Sequence, residues 1–423
     1  MDLPASPSVR GSRRGLALRP RRILYAENGS RSVAVETTLA EIERSCLSSD
    51  REMQFRLDRE QGGKPTHALL KLHSPEGPDR DERFFGKGTT RAQTVASACL
   101  ELFERQCAKQ RPDDILEEAS YAAVAAEARD PRLFVLAADG AFRPEAPIDW
   151  VWGYSLTRSE TVRVPANLVY LPYDADRDGK IIAWNGSNGL ASGNNLEEAV
   201  LHGILEVIER DAAMIDEYNG LRRDAVATRG LSPGTVDLLA ALEARGFGCS
   251  FRSAATDMPF PVVSAFLQKA DDPAHCSAAY GCHLDPRLAI SRALTEAVQV
   301  LPPSVNQEGW FRSGAAARHA APASRVLAPG ALRNLSSGEL LADIRTCVDI
   351  LNDFGSEVIV VDLSLPDIPF PAVRVLATGL QPLLHDGHRR LSSRFFEVPV
   401  KLGLRAEPLD PADVKVWPLC GYR

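Results

Sequence analysis

The sequence predicts an α+β fold in which pseudo-symmetric loop–helix units pack on mixed or antiparallel β-sheets. Apolar residues make up 44% and charged residues 25% of the 423 residues, which is ordinary for a soluble globular chain. Runs of alternating apolar and polar residues predict strands, and these runs are interspersed with segments of helical periodicity. A glycine-rich loop followed by a helix occurs twice. No clean boundary is visible after residue 25, so we expect one α+β unit with a minor subdomain.

The more informative loop–helix unit begins with Ser187–Asn195, a polar and glycine-rich stretch. Asn195 and Glu198 have the spacing of a capping box, which predicts that a helix starts here. Residues three and four apart lie on the same face of a helix, so the two carboxylates and the guanidinium of Glu206–Arg210 project together. The N–H groups at such a helix start suit an anion, and carboxylates suit the hard cations that accompany phosphates. The unit therefore indicates half of a nucleotide–metal site.

The same pattern occurs earlier in the chain, at an offset of 105 residues (206 − 101). This offset pairs Gly88 with Gly193, Glu101 with Glu206, Glu104 with Glu209 and Arg105 with Arg210. One E-x-x-E-R run alone is typical of a solvated, salt-bridged helix face. Two runs with matching loops indicate instead four glutamates directed at a shared centre, where like charges repel unless cations lie among them.

Composition and motifs exclude several functional classes. The net charge of −7 disfavours a nucleic-acid partner. No apolar run reaches the roughly 18 residues of a membrane span. The eight cysteines have no zinc-type spacing, and neither H-E-x-x-H nor G-x-S-x-G occurs, so peptidase and α/β-hydrolase chemistry have no support. Because no secretory signal is visible, we expect reduced thiols and a cytoplasmic location.

Both ends of the chain are predicted to be irregular. Residues 1–22 are rich in Arg, Pro and Ser and have the composition of a disordered basic tail. The folded part is expected over residues 23–423, and its last stretch, about 404–423, is expected to be an irregular C-terminal tail. A contact between the basic tail and an acidic partner is the alternative to disorder.

Three local patterns carry further expectations. Asp174–Gly179 imitates the start of a calcium-binding EF-hand loop, but Asn185 stands where that loop needs a bidentate Glu, so an acidic surface loop is expected. Leu133–Leu136 and Leu168–Pro172 are predicted as strands. A helix is also expected between Tyr25 and Arg44, with Thr37 or Thr38 as its cap.

Arg292 and Glu296 lie four residues apart on a predicted helix from Pro286 to Val300. Two interpretations are open for this pair. Arg292 could bind phosphate as a bidentate cation, or it could form an internal ion pair with Glu296.

With both repeats in view, the chain resembles the YcaO family over roughly residues 25–380. The resemblance rests on Gly86–Gly88 with Glu101–Arg105, on Ser187–Asn194 followed by E-x-x-E-R, and on Ser291–Glu296. It implies an ATP fold distinct from P-loop and Rossmann enzymes, in keeping with the absence of G-x-x-x-x-G-K-[ST] here. It also implies an enzyme that uses ATP and Mg²⁺ to activate a peptide backbone amide. The amide oxygen attacks the γ-phosphate, and loss of phosphate leaves an azoline, an amidine or a thioamide, according to the nucleophile.

The resemblance further implies roles for individual residues. The expected Mg²⁺ ligands are Glu101, Glu104, Glu206 and Glu209. The expected ATP contacts are Arg31, Thr38, Asn194, Glu198, Arg210, Arg292 and Glu296. Glu206, Glu209 and Arg292 are expected to serve catalysis directly. Phosphoryl transfer needs positioning and neutralised charge more than covalent chemistry, and metals together with Arg provide both.

The product class stays open at this point. The end of the chain lacks the P-x-P-x-P sequence common among azoline-forming members, and Ala191 stands where some relatives place Ser. Gly29–Leu39 and Val361–Pro369 are similar to the TfuA-associated, thioamide-forming branch, whereas Glu104–Arg105 also fits azoline-type relatives.

Two other functions remain as alternatives. One is a ligase that activates small carboxylic acids with ATP. The other is a non-catalytic ATP-binding accessory factor for the modification of ribosomal proteins. For the favoured function, the expected partners are a precursor peptide or protein substrate and a TfuA-like or E1-like protein that recognises it, and a homodimer is left open.

Overall fold

A computed structural model of the chain describes residues 13–27, 29–47, 53–54, 67–72, 82–137, 142–174, 180–183, 186–301, 319, 322–323, 325–383 and 390–414. The chain divides into two compact units, each made of three separate stretches. Unit 1 comprises Met1–Arg21, Phe103–Asp211 and Leu340–Phe395. Unit 2 comprises Arg22–Leu102, Ala212–Glu339 and Phe396–Arg423.

The fold is α+β, as the sequence predicts. The α-helices are α1 Val35–Leu47, α2 Arg91–Ala108, α3 Tyr121–Val124, α4 Leu196–Asn219, α5 Pro233–Glu243, α6 Pro286–Gln299, α7 Leu340–Asp353 and α8 Ser393–Lys401. The strands are β1 Met53–Gln54, β2 His67–Leu72, β3 Glu82–Lys87, β4 Glu117–Ser120, β5 Pro147–Ser155, β6 Glu160–Pro165, β7 Leu190–Ser192, β8 Ala225–Val226, β9 Phe247–Ser253, β10 Val262–Lys269, β11 Cys276–Cys282, β12 Val326–Leu327, β13 Val358–Asp362 and β14 Ala372–Ala377. Among the described residues, no helix combines the length and the apolar character needed to cross a bilayer.

Unit 1 is built on a six-stranded sheet of order β4-β5-β13-β14-β7, with β6 paired to β5. Its strand pairs are antiparallel. Arg374 on β14 is fully buried, and its guanidinium donates to the backbone oxygens of Val169, Gly186 and Asn188 at 2.7–2.9 Å. A buried guanidinium has to find acceptors, and here it finds them in the segment that leads into the glycine-rich loop. The central strands of the sheet therefore fix where this loop starts.

Unit 2 contains a five-stranded sheet of order β11-β10-β9-β8-β12 and a three-stranded sheet of order β1-β2-β3. The pairs are antiparallel except β8 with β12, which is parallel. Helix α6 packs on β10 and β11, and its apolar face forms one core with Phe251, Val263 and Leu267. Because β11 carries small residues such as Gly281, the backbone of α6 approaches the strand closely.

The loop–helix repeat is present in the structure, and it has a third member. In β3–α2, β7–α4 and β11–α6, a strand is followed by a helix after a connection of three residues: 88–90, 193–195 and 283–285. Glu101, Glu206 and Glu296 are each the eleventh residue of their helix, counted from Arg91, Leu196 and Pro286. The third connection contains no glycine, which is why the sequence pattern revealed only two copies.

Several local expectations are wrong. Leu133–Leu136 and Leu168–Pro172 are not strands; 3₁₀ turns at Pro131–Leu133 and Ala166–Leu168 stand there, because prolines restrict φ and remove donors that a strand would need. Helix α8 has no counterpart among the predicted elements, and it contains Pro399, a residue that usually ends or bends a helix.

Two further expectations concern the N-terminal helix and the EF-hand-like loop. Thr37 and Thr38 lie inside α1, which begins at Val35, so neither is its cap. Most of the EF-hand-like segment, residues 175–179 and 184–185, lies outside the described residues.

Part of the predicted N-terminal tail has defined contacts within unit 1. The backbone N–H of Arg19 donates to Glu197 at 2.6 Å, and the Nε of Arg21 donates to the same carboxylate at 2.8 Å. Glu197 is only 2% exposed, so its charge requires such donors. Residues 19–21 therefore have defined contacts, whereas residues 1–12 lie outside the described residues and the disorder predicted for them stays a prediction.

A buried histidine occupies the connection between β11 and α6. His283 is 2% exposed; its Nδ1 accepts the backbone N–H of Asp285 at 3.0 Å, and its Nε2 lies 3.1 Å from the Oγ of Ser30. Burial, with help from the positive charges of Arg292 and Arg31 and against the negative charge of Asp285, lowers the pKa of His283 to about 3. The imidazole is therefore neutral in the folded protein near neutral pH.

We expect Gly281→Ala to destabilise the protein by about 1–3 kcal/mol, because a Cβ there would overlap the backbone of Ala289 and Ala293 on α6. Gly248→Ala on β9 is the matched control, since its nearest neighbour would be the backbone oxygen of Gln268 at 3.8 Å. Urea unfolding of both variants tests this. Equal unfolding midpoints would show that α6 does not pack tightly on β11.

The depressed pKa of His283 also predicts a pH dependence of stability. The unfolded chain takes up the proton below about pH 6.5 and the folded chain does not, so the free energy of unfolding falls as pH falls. His283 alone should lower the free energy of unfolding by about 2 kcal/mol when the pH falls from about 8 to about 5. Urea titrations at both pH values should show that His283→Asn removes this part of the dependence. An unchanged dependence in the variant would contradict the neutral, buried histidine.

Candidate functional site

The start of α4 is closed by side-chain hydrogen bonds that differ from the predicted capping box in one respect: Glu198 accepts the backbone N–H of Asn194, the residue before the cap residue Asn195. The Oδ1 of Asn195 accepts the N–H of Glu198 at 3.1 Å. The Oε2 of Glu198 in turn accepts the backbone N–H of Asn194 at 3.2 Å and its Nδ2 at 2.8 Å. Asn194 and Glu198, both expected ATP contacts, therefore hold each other in place. Reciprocal capping of this kind satisfies donors that a helix start otherwise leaves unpaired.

The start of α2 has the same arrangement, 105 residues earlier. The Oγ1 of Thr90 accepts the N–H of Gln93 at 3.2 Å, and the Oε1 of Gln93 accepts the N–H of Thr89 at 3.0 Å. Thr89, Thr90 and Gln93 thus correspond to Asn194, Asn195 and Glu198. The repeat read from the sequence extends to individual hydrogen bonds.

Both connections also use glycine for the same reason. A Cβ added to Gly88 would lie 2.6 Å from the Cβ of Gln93, and one added to Gly193 would lie 2.7 Å from the Cβ of Glu198. No side chain fits between the connection and the first turn of the helix. The backbone of each connection is therefore pressed against its helix start, in the position from which N–H groups can bind an anion.

None of the four predicted metal-ligand glutamates is exposed. Glu104 is 9% and Glu209 5% exposed, and Glu101 and Glu206 are half-buried. Glu206 lies 3.6 Å from Arg210, and Glu101 accepts the backbone N–H of Phe85 at 2.8 Å. A salt-bridged surface face would leave these carboxylates in water, so this interpretation is disfavoured for both helices.

Among the described residues, no three His, Cys, Asp or Glu side chains come together as a group that could hold a metal. A preformed cage of four glutamates is therefore not observed, and the metal ligands stay a prediction. The donor set still fits Mg²⁺, because this ion usually takes one or two carboxylates and completes its octahedron with phosphate oxygens and water. Carboxylates three residues apart on one helix, as at Glu206 and Glu209, supply that number.

The predicted ATP contacts and metal ligands belong to both units of the chain. Unit 1 carries Glu104, Asn194, Glu198, Glu206, Glu209 and Arg210. Unit 2 carries Arg31, Thr38, Glu101, Arg292 and Glu296.

In unit 2, Glu296 forms an ion pair with Lys87, the last residue of β3. Arg292, one turn earlier on α6, is 8% exposed. Thr38 is 4% exposed, and its hydroxyl reaches the backbone oxygen of Ala34 at 3.5 Å. The sequence left an Arg292–Glu296 pair open; the structure assigns Lys87 as a partner of Glu296 instead.

Sequence reasoning missed one buried pair beside the candidate residues of α4. Asp211 follows Arg210 directly and is fully buried. Its carboxylate accepts two hydrogen bonds from Arg394 on its Oδ2, at 2.8 and 3.1 Å, and the backbone N–H of Gln381 at 2.9 Å. An acidic residue among apolar positions of a helix was the available signal. This pair ties the start of α8 to α4.

The family described as "YcaO cyclodehydratase, ATP- and Mg²⁺-binding" matches residues 85–381. An uncharacterized protein of Methanothermobacter thermautotrophicus is 31% identical over 324 residues, which cover 72% of this chain and 83% of the relative. An uncharacterized protein in the tfuA 3' region of Rhizobium leguminosarum bv. trifolii is 30% identical over 51% of this chain and 54% of the relative. The Escherichia coli ribosomal protein S12 methylthiotransferase accessory factor YcaO is 29% identical over 35% of this chain and 24% of its own length.

Solved structures share the fold. A heterocyclase in complex with substrate and cofactor has a TM-score of 0.82 at 24% identity and covers 96% of this chain. The heterocyclase TruD has a TM-score of 0.68 at 27% identity over 77% of this chain. This chain spans 59% of the first heterocyclase and 50% of TruD. The YcaO protein of Methanopyrus kandleri, bound with AMPPCP and Mg²⁺, has a TM-score of 0.67 at 27% identity and covers 85% of this chain and 94% of its own.

The family match covers more than half of the chain, and a relative above 30% identity matches over more than two thirds of it. The α+β fold and the capped loop–helix repeats agree with that match. The chain belongs to the YcaO family of cyclodehydratases, which bind ATP and Mg²⁺.

Proposed function

We propose that this protein uses ATP and Mg²⁺ to activate backbone amides of a ribosomally made peptide or protein, and that the product is a thioamide or an azoline. The observation that carries the proposal is the repeated strand–connection–helix unit. Each unit brings the backbone of a short connection close to a helix start, which suits an anion, and its helices carry buried or half-buried glutamates in register. A globular protein gains nothing from burying carboxylates in this way unless cations or donors balance them.

Each group of residues has a distinct part in the proposal. Bound ATP with Mg²⁺ supplies the phosphoryl group that turns the amide oxygen into a leaving group. Glu206 and Glu209 hold the metal on α4, with Glu101 and Glu104 in the same role on α2. Arg210 and Arg292 neutralise negative charge on the phosphates, which is the main requirement of phosphoryl transfer.

The capping box has a part of its own in this scheme. Asn194 and Glu198 are held by mutual hydrogen bonds, so they meet the nucleotide without further ordering. Side chains that are fixed before binding lose little conformational entropy when the nucleotide arrives. Glu198 also takes part in the cap of α4, because its backbone N–H donates to Asn195.

For the product, the relative in the tfuA 3' region supports the thioamide, because TfuA-associated members are the thioamide-forming branch that the sequence resembles. Thioamide formation requires a sulfide donor, and azoline formation requires only a neighbouring Cys, Ser or Thr in the peptide. A TfuA-like protein is accordingly the partner proposed to deliver sulfide or substrate, and a precursor peptide or protein is the proposed substrate.

A second candidate is an accessory factor that binds ATP without modifying a peptide. The printed name of the Escherichia coli relative favours it. This candidate predicts that ATP stabilises the protein but that no peptide changes mass.

The test is incubation of the full chain with ATP, Mg²⁺ and candidate precursor peptides, with and without sulfide and a TfuA-like protein. Mass spectrometry is expected to show either the loss of one water per azoline or the exchange of oxygen for sulfur in a thioamide. Phosphate release is expected to rise with peptide. Nucleotide-dependent stabilisation without any mass change would favour the accessory factor, and phosphate release driven by a small carboxylic acid alone would favour a ligase.

Glu206→Gln and Glu209→Gln are each expected to lower peptide-dependent phosphate release by about a hundredfold or more, because a metal ion contributes several kcal/mol of charge stabilisation. The substitution keeps the volume of the side chain and removes its charge. Glu243→Gln on α5 is the matched control, since Glu243 is exposed and is not an expected ligand. Wild-type rates in both α4 variants would remove the metal-site assignment.

A further inference from the structure

His283 links two parts of unit 2 that each carry an expected phosphate-binding arginine. It occupies the connection before α6, the helix of Arg292. Its ring reaches Ser30, which precedes Arg31. Both His283 and Ser30 are buried, at 2% and 8% exposure. The imidazole is therefore a buried contact between the N-terminal segment and the start of α6.

The direction of these hydrogen bonds follows from the backbone. An amide N–H can only donate, so the Nδ1 that faces Asp285 at 3.0 Å has to be the unprotonated, accepting nitrogen. In the neutral ring the proton is then on Nε2, which donates to the Oγ of Ser30 at 3.1 Å. One backbone contact thus selects the tautomer that holds Ser30.

The residue after Ser30 is held by an isolated antiparallel bridge between Tyr25 and Arg31. The backbone N–H of Arg31 donates to the oxygen of Tyr25 at 2.9 Å, and the oxygen of Arg31 accepts from the N–H groups of Leu24 and Tyr25 at 2.9 and 3.0 Å. This bridge and the contact of Ser30 with His283 restrain the backbone of residues 30–31 at two adjacent positions.

The charges nearby explain why a neutral group suits this position. Arg31 and Arg292 both lie close enough to His283 for their positive charges to lower its pKa, while Asp285 acts in the opposite direction. Two guanidinium groups near one point repel each other unless an anion lies with them. A protonated histidine or a lysine would add a third positive charge, whereas the neutral imidazole holds the segment without doing so.

We propose that His283 is a positioning residue for nucleotide binding: its neutral imidazole, by donating to Ser30, fixes Arg31 on the same side of α6 as Arg292, so that both guanidinium groups meet one polyphosphate. The inference rests on the proposed nucleotide site and adds two residues, His283 and Ser30, that need not touch ATP. Neither has the charge or the E-x-x-E-R spacing by which the other site residues are recognised.

Ser30→Ala, His283→Asn and the double variant test this in the full chain. The asparagine Oδ1 can still accept the Asp285 N–H, but the side chain is too short to reach Ser30. Each single variant is expected to weaken binding of Mg²⁺–AMPPCP about three- to tenfold, the loss that corresponds to one hydrogen bond. Both changes break the same hydrogen bond. The affinity of the double variant for Mg²⁺–AMPPCP should therefore equal that of whichever single variant has the lower affinity.

Ser250→Ala is the matched control. Its Oγ makes an equivalent hydrogen bond to the Nδ1 of His319, at 2.8 Å, within the same unit, and it belongs to none of the candidate site residues. This variant should bind Mg²⁺–AMPPCP like the wild type. NMR of the imidazole nitrogens should show His283 as the neutral Nε2–H tautomer in the wild type and in Ser30→Ala, which also shows that this variant is folded.

The outcomes separate the two proposals. A wild-type protein that does not bind Mg²⁺–AMPPCP would overturn the proposed function. Binding that is strong in the wild type and unchanged in Ser30→Ala would overturn the positioning role alone. Losses that add in the double variant would also overturn it, because His283 and Ser30 would then act separately.

Discussion

The three-residue connection between strand and helix is the constraint on which the rest of this structure depends. Each helix has to start within that distance of a strand end, so its first N–H groups need partners that the connection itself supplies. At α4 the partners are Asn195 and Glu198, and at α2 they are Thr90 and Gln93. Once the start is fixed, the rise of the helix places the eleventh residue at the same height in every copy. The glutamates are thus positioned by backbone geometry before any ligand is considered.

The burial of the carboxylates on these helices determines which partners they require. A carboxylate at 5% exposure, as at Glu209, keeps its charge only where donors or cations compensate for the lost water. The protein provides such compensation explicitly at neighbouring positions, with Arg394 on Asp211 and with Arg19 and Arg21 on Glu197. The same helix therefore carries Glu197 and Asp211, whose partners are structural, together with Glu206 and Glu209, for which a metal is proposed.

The third repeat also depends on the charge of a buried side chain. Its connection carries a neutral histidine, His283, near two arginines. His283 stands where the other two connections have glycine, and a glycine there could not reach Ser30. The third connection gives up the close glycine approach seen at Gly88 and Gly193 and gains a side chain that links two segments. Repeats of one supersecondary unit commonly diverge at the connection, because the strand and the helix are constrained by the core.

A good part of this could be predicted from the sequence, because the relevant signals are local. The capping box at Asn195 and Glu198, the span of α2 and the register between Glu101 and Glu206 follow from spacings of three, four and 105 residues. Helix caps and helix faces depend on residues within a few positions of one another, so a linear pattern specifies them. The same reasoning failed at Leu168–Pro172, where the apolar pattern of a strand was overridden by prolines.

The sequence by itself therefore determined the class of fold, the two evident repeats and, through the motifs that contain the glutamates and arginines, the family of the chain. Only the tertiary structure decided that β11–α6 is a third copy, that Glu296 pairs with Lys87, and that Ser30 meets His283 across about 250 positions. These features depend on which distant segments share a core, and packing of that kind leaves no periodic trace in the chain.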